Sequence, residues 1–208
     1  MPPFPPGCTI GSGRHLREVS PVLRGLFAQL PRLETERLVL RPVTYDDVPA
    51  IHEYCSDPDV ARYTAWRPHE SLLVTQAYVG AVQDQYRRDE PSPWGVEHRE
   101  QRSLIGTCGF VARTPEHHRA EIGYTLARSY WGQGLMTEAV HAVIAYAFTN
   151  LDVNRIEAIC DAENLASARV LEKSGLTFEG ILRDYLLIKG RYRNVRMYAA
   201  VRDGQSLP

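Results

Sequence analysis

The chain has 208 residues, of which 44% are hydrophobic and 24% charged, proportions that exclude a disordered, collagenous or coiled-coil protein. At roughly 150 residues per domain, this length implies one compact domain with room for an appendage. Lys and Arg number 24 against 25 Asp and Glu, a net charge of -1, so the molecule as a whole has no electrostatic reason to bind nucleic acid or an anionic membrane.

No apolar stretch approaches the roughly 18 to 20 residues that span a bilayer. The opening MPPFPPG lacks the basic-then-apolar pattern of a secretory leader, which places the expected site of action in the cytosol. Cys8, Cys55, Cys108 and Cys160 stand far apart without a CxxC pair, as reduced packing thiols do, so neither disulfides nor zinc are expected. The pair His117-His118 has no HxxxH or Cys/His cluster beside it and reads as a solvated loop, so no metal is expected.

Residues 1–31 hold six prolines, and three arginines against one glutamate, the composition of an N-terminal extension that is partly disordered. Val22, Leu23, Leu26, Phe27 and Leu30 recur at helical spacing and predict a short docking helix over Val19 to Leu30. Residues 32–203 form the domain and 204–208 a tail. LETERLVLRPV alternates as one strand from Leu33. Thr44 then caps a helix through Val48, Ile51, His52 and Tyr54-Cys55, and a second helix runs from Leu72 to Tyr86.

The middle of the chain is β-forming: Trp94 to His98, Ser103 to Val111 and Arg119 to Leu126 are separated by polar turns, as in an antiparallel meander. Leu135 to Phe148 repeats as a helix, Arg155 to Cys160 as a strand, and Asn164 to Ser174 as a helix stopped by Gly175. Phe178 to Ile188 and Tyr192 to Val201 form a closing hairpin about Lys189-Gly190-Arg191. The resulting order, β-α-α-β-β-β-α-β-α-β-β, predicts an α+β fold: a mixed, mostly antiparallel sheet with helices on both faces.

The sharpest local feature is Ser129-Tyr130-Trp131-Gly132-Gln133-Gly134-Leu135-Met136, two glycines between a strand and the first turn of a helix. Such a junction offers unpaired N–H groups beside a positive helix end, and glycine lets a ligand approach the backbone. It is either an anion cradle or a plain helix-entry turn. It lacks GKS/T and follows a meander, unlike a P-loop or a dinucleotide fold.

Arg119-Ala120-Glu121-Ile122-Gly123-Tyr124, the glycine segment with Thr137-Glu138-Ala139, Asn164-Leu165-Ala166-Ser167 and Glu172-Lys173-Ser174-Gly175-Leu176 together resemble the GCN5-related N-acetyltransferases. The opening Leu33 to Pro42 is similar to the branch that contains the RimJ/RimL ribosomal-protein N-terminal acetyltransferases. The resemblance implies acetyl-CoA as co-substrate, its pyrophosphate on the amides of Trp131, Gly132, Gln133, Gly134, Leu135 and Met136, and its thioester near Leu126. It also implies a gap, filled by the pantetheine arm, where the strand ending at Leu126 leaves the strand beginning near Arg155. Ser129 stands where the family's glycine pattern has Gln or Arg.

Acetyl transfer to an amine needs a neutral nucleophile, a donor to the tetrahedral oxyanion and a proton for the leaving thiolate. Glu121 is the candidate base, or else an orienting or ion-paired residue; the rival Glu138 is explained by the helix dipole. Many family members carry a tyrosine proton donor at the position of Leu171, so Ser167 takes that role by resemblance, while Asn164 and Ser167 also suit a helix cap. Arg169 and Lys173 either meet the 3'-phosphate or are solvated. Tyr63, Trp66 and Trp94 either wall an acceptor pocket or pack. The expected acceptor is a protein N-terminal α-amine. The alternatives are a small amine (aminoglycoside, polyamine or amino acid) or a non-catalytic acyl-CoA sensor, and the chain is expected to be a monomer or homodimer.

Overall fold

The structure is a computed structural model and describes residues 26–202. Its sheet has eight strands: β1 (Leu33–Glu34), β2 (Leu38–Arg41), β3 (Pro93–His98), β4 (Ser103–Thr114), β5 (Arg119–Leu126), β6 (Arg155–Asp161), β7 (Thr177–Ile188) and β8 (Arg191–Val201). They lie in the order β1-β2-β3-β4-β5-β6-β8-β7. Every neighbouring pair is antiparallel except β5 and β6. The helices are α1 (Val48–Cys55), α2 (Pro58–Ala61), α3 (Leu72–Arg87), α4 (Leu135–Asn150) and α5 (Leu165–Lys173). Of these helices, the sequence reading lacks only the single turn α2.

One expected strand divides. LETERLVLRPV folds back on itself, so that Leu33 faces Leu40 and Glu34 faces Val39. The cause is Thr35, whose N–H donates to the Leu38 carbonyl at 3.0 Å while its hydroxyl accepts from the Leu38 N–H at 3.0 Å. A side chain that satisfies the backbone locally competes with an extended ladder. Thr44 caps as expected: its N–H donates to Asp47 Oδ2 at 2.7 Å, holding the 3-10 turn Tyr45–Asp47 that leads into α1.

Alternation along the strands decides which helix covers which face. Trp94, fully buried, meets Phe110 on β4 and Tyr146 on α4 with ring centroids 5.9 and 6.0 Å apart. Its indole N–H donates to the Pro31 carbonyl at 2.7 Å, so Trp94 packs in the core and does not wall a pocket. Thr107, beside Trp94's partner Cys108, points the other way toward Tyr54 of α1. Helices thus cover both faces.

The predicted helix over Val19 to Leu30 lies largely outside the described residues. Its described end is a turn in which Leu26, Phe27 and Leu30 are buried, and the Phe27 N–H donates to Asp89 at 2.8 Å. Cys55, Cys108 and Cys160 are free and buried. Burial pushes the Cys55 thiol up to about 12 and Cys160 to about 11, the Cys55 shift partly offset by Tyr54 and the Cys160 shift by Ser167. Cys8 lies outside the described residues. No described helix is long and apolar enough to cross a membrane.

Candidate active site

β5 and β6 pair only through Arg119–Glu121 against Arg155–Glu157. Beyond that point they part, and Ile122 to Leu126 on one strand and Ile159 to Asp161 on the other line a cleft of about 970 Å³. Two parted parallel strands leave facing N–H and C=O groups for an extended ligand to pair with.

The cleft floor runs into the start of α4. Gly132 and Gly134 sit at φ +75° and +77°, and a Cβ on Gly132 would meet nothing within 4 Å. Left-handed backbone there turns the chain so that the first N–H groups of α4, at Leu135, Met136 and Thr137, open on the cleft without partners inside the helix. The cradle is narrower than the sequence implies. The Trp131 N–H is already given to the Arg128 carbonyl at 3.1 Å, and its indole donates to the Leu126 carbonyl at 2.8 Å. Trp131 therefore shapes the cleft with its ring, not with its amide.

Leu126, Trp131, Gly132, Gly134, Leu135, Met136, Asn164, Ser167, Arg169 and Lys173 all line the cleft. Gln133 does not; its carbonyl accepts from Arg37 at 2.9 Å and its side chain donates to the Ser129 carbonyl at 3.0 Å, so it braces the loop from behind. Arg37 also reaches Glu138, where burial raises the carboxyl pKa less than Thr35 and Arg37 lower it. Glu138 is thus an ionised strut. Arg169 and Lys173, one helical turn apart on α5, bring two cations to the same wall.

Asn164 Oδ1 accepts the Ser167 N–H at 3.1 Å, the N-cap that its position predicts. Leu171 is fully buried. Ser167 Oγ instead lies 2.7 Å from the hydroxyl of Tyr124, a residue with no role in the sequence reading although it stands in one of the quoted segments. Alternation along β5 was its only signal, since Tyr124 shares a face with Ile122 and Leu126.

Glu121 is not among the residues lining the cleft. It stands at the last paired position of β5, opposite Glu157, and its neighbour Ile122 is the first residue to face the gap. Burial raises its carboxyl pKa, the Glu157 charge adds to this, and Arg119 opposes it. Arg119 and Arg155 both turn to Glu157, at 3.5 and 2.6 Å.

The opposite rim is built from α2 and the turn after it, where Asp59, Arg62, Tyr63, Thr64 and Trp66 face the cleft. Arg128 ties this rim down through Asp57 at 2.8 Å and Asp59 at 3.5 Å. Lys189, at the tip of the β7–β8 hairpin, donates to the Ala61 carbonyl at 2.6 Å and closes the rim from the other side.

Residues 37–177 match the family model described as an acetyltransferase (GNAT) domain, more than half of the chain. The chain belongs to the GNAT acetyltransferases. This GNAT chain is 37% identical over 170 residues to an uncharacterized N-acetyltransferase, p20, of Bacillus licheniformis, covering 82% of the chain and 96% of that protein. It is 30% identical to the spermidine N(1)-acetyltransferase of Escherichia coli (strain K12) over 76% of the chain and 83% of that enzyme. Among solved structures, it is similar to RimL, a ribosomal L7/L12 alpha-N-protein acetyltransferase, in complex with coenzyme A. The TM-score is 0.75, with 26% identity over 84% of the GNAT chain and all of the RimL chain.

Proposed function

We propose that this enzyme transfers the acetyl group of acetyl-CoA to a protein N-terminal α-amine in the cytosol. The observation that carries the reading is the convergence, in one cleft, of parted strand edges, a two-glycine cradle and the hydroxyl of Ser167. The amides of Gly132, Gly134 and Leu135 to Thr137 suit the pyrophosphate, Arg169 and Lys173 the 3'-phosphate, and the gap between β5 and β6 the pantetheine arm. Acetyl-CoA supplies the activated acyl carbon. The chain's own residues align the amine, pass its proton through a water to Glu121 at the closed end of the gap, and meet the leaving sulfur at Ser167.

Charge is what supports this acceptor class. With Arg169 and Lys173 given to the cofactor, Arg62 and Arg128 balance Asp59 and Asp161 among the remaining charged cleft residues. Arg193 holds Asp161 at 2.6 Å, and Arg128 lies 3.5 Å from Asp59. A polyamine needs unpaired carboxylates to bind its distal ammonium groups, and these two are engaged. An α-amine at the end of a peptide needs only one neutralised site, with Tyr63 and Trp66 beside it as apolar walls.

The test is incubation with acetyl-CoA and a panel of peptides with free N-termini, spermidine, an aminoglycoside and amino acids, following thiol release. Peptide turnover exceeding that of the small amines is the expected result. Preferential turnover of spermidine, which a relative's name specifies, overturns the acceptor reading. Absence of turnover across the panel overturns the assignment of the acceptor as an amine.

A further inference from the structure

The cleft wall between β5 and α5 carries two hydroxyls that touch. Tyr124 Oη lies 2.7 Å from Ser167 Oγ and 3.1 Å from the Ser167 carbonyl oxygen, and both side chains line the cleft. The Ser167 N–H is fixed independently by Asn164 Oδ1. The first turn of α5 is therefore pinned to the central sheet at Ser167 itself.

A phenol has one hydrogen to give and here has two acceptors in reach. If that hydrogen sits on the Ser167 carbonyl, the serine hydroxyl donates back to Tyr124 and is consumed within the pair. If it sits on Ser167 Oγ, the serine hydrogen is released toward the cleft, where the Cys160 sulfur is a further acceptor within its reach. The two arrangements differ by rotation of two O–H bonds, with no movement of heavy atoms.

We propose that Tyr124 is a positioning residue that turns the Ser167 hydrogen onto the cofactor sulfur as the carbon–sulfur bond breaks. The inference rests on the reading of the cleft as the acetyl-CoA site. When the tetrahedral intermediate collapses, the carbon–sulfur electron pair passes to sulfur. Ser167 Oγ–H donates a hydrogen bond to the thiolate, and Tyr124 Oη–H donates to Ser167 Oγ. Chained donors of this kind polarise and strengthen one another.

Neither hydroxyl gives up its proton. Burial holds the Tyr124 phenol well above its ordinary range, only partly offset by its bond to Ser167, and a serine alkoxide is less accessible still. The proton lost by the amine leaves through the base to solvent, and the thiolate takes one from solvent on release. Besides Ser167, the titratable groups around Tyr124 are Cys160, Cys108 and Tyr198, and none is an ion at neutral pH.

The test uses free CoA as the probe and needs no acceptor. The ultraviolet absorbance of the bound thiolate is titrated in wild type, Tyr124→Phe, Ser167→Ala and the double variant, each against its CoA-free protein so that the cysteine thiols cancel. The expected result is a bound thiol that ionises at lower pH in wild type than in either single variant, with the double variant no different from Ser167→Ala. In acetyl transfer, Ser167→Ala loses about 10²-fold in kcat and Tyr124→Phe roughly tenfold, without multiplying. CoA that binds with the same thiol titration in wild type and Tyr124→Phe, or kcat losses that multiply, overturns the positioning role. Failure of wild type to bind CoA overturns the cofactor reading, and this inference with it. Tyr124→Phe keeps the buried ring, and a thermal melt run beside the titration shows its fold; a melt like that of wild type with an unchanged thiol titration overturns the proposal.

Discussion

Arg37 holds Glu138 twice, with its backbone N–H on one carboxylate oxygen and its guanidinium Nε on the other, both at 2.8 Å. The same side chain reaches the Gln133 carbonyl at 2.9 Å, inside the turn between Gly132 and Gly134. One arginine immediately before β2 thus fixes the glycine loop and the first turn of α4 to each other across 101 positions of sequence. Charge-assisted bonds in a fork geometry specify orientation as well as energy.

Arg37→Ala is therefore expected to act on the cradle and not on the chemistry. Calorimetry should show acetyl-CoA affinity reduced by roughly 3- to 30-fold, the loss of one or two such bonds at a partly exposed site, with kcat nearly unchanged. A kcat defect at saturating acetyl-CoA would mean that Arg37 serves the reacting centre.

The glycine loop gives a second expectation. Gly134 sits at φ +77° with the Arg37 guanidinium 3.7 Å from where a Cβ would stand, so Gly134→Val combines about 1–2 kcal/mol of backbone strain with crowding of the cradle. Gly175→Ala, at φ +90° beyond the end of α5 and outside the cleft lining, carries strain without the crowding. Thermal melts should fall for both, while titration calorimetry should show lost acetyl-CoA binding for Gly134→Val alone.

The sequence reading and the structure agree where local chemistry decides the outcome and part where distant residues do. Thr44, Asn164 and Gly175 declare helix ends because their caps act over three or four residues, and the β5–α4 junction declares itself through glycine. The turn at Thr35 is missed because alternation in LETERLVLRPV satisfies a strand equally well, and only a hydroxyl-to-backbone bond breaks the tie. Tyr124 and Arg37 are present in recognisable segments, yet their roles depend on partners 43 and 101 positions away, which periodicity does not encode. Trp94 is read with two alternatives because an aromatic beside a meander suits a pocket or a core; its indole bond to Pro31 decides for the core.

A third prediction concerns stability. Arg41 grips Asp47 with two bonds of 2.9 and 2.8 Å and Glu97 with one of 2.6 Å, at the entry to α1. Burial raises the Asp47 carboxyl pKa, but Arg41 and the Thr44 N–H lower it by more, so the folded value lies below the unfolded one. A depressed carboxyl contributes stability above its unfolded pKa and loses it as pH falls through the folded value. Asp47→Asn should cost about 2–3 kcal/mol in urea denaturation at neutral pH, less than a fully buried pair because 24% of the Arg41 side chain is exposed. The gap between wild type and variant should close on acidification below the ordinary carboxyl range; a gap independent of pH would show that shape, not charge, is what Asp47 supplies.

The fourth prediction tests Glu121, the carboxylate at the closed end of the gap. Burial and the neighbouring Glu157 raise its pKa against the pull of Arg119. A raised carboxyl is stabilising when protonated, so its contribution falls as pH rises from the unfolded to the folded pKa. Glu121→Gln should match wild type in thermal melts under acid and become the more stable protein above the folded pKa. Catalysis should move the other way. As a base, Glu121 works only when ionised, and Glu121→Gln keeps the shape without the basicity, so kcat/KM should drop by about 10²-fold or more while acetyl-CoA affinity holds. The deficit should shrink as pH rises toward the pKa of the acceptor amine, because more of the amine then arrives already neutral. Parallel pH-rate profiles of wild type and Glu121→Gln on one peptide decide the matter. A constant deficit across pH would assign Glu121 to orienting the acceptor, and no deficit would return it to the ion-pair cluster of Arg119, Arg155 and Glu157.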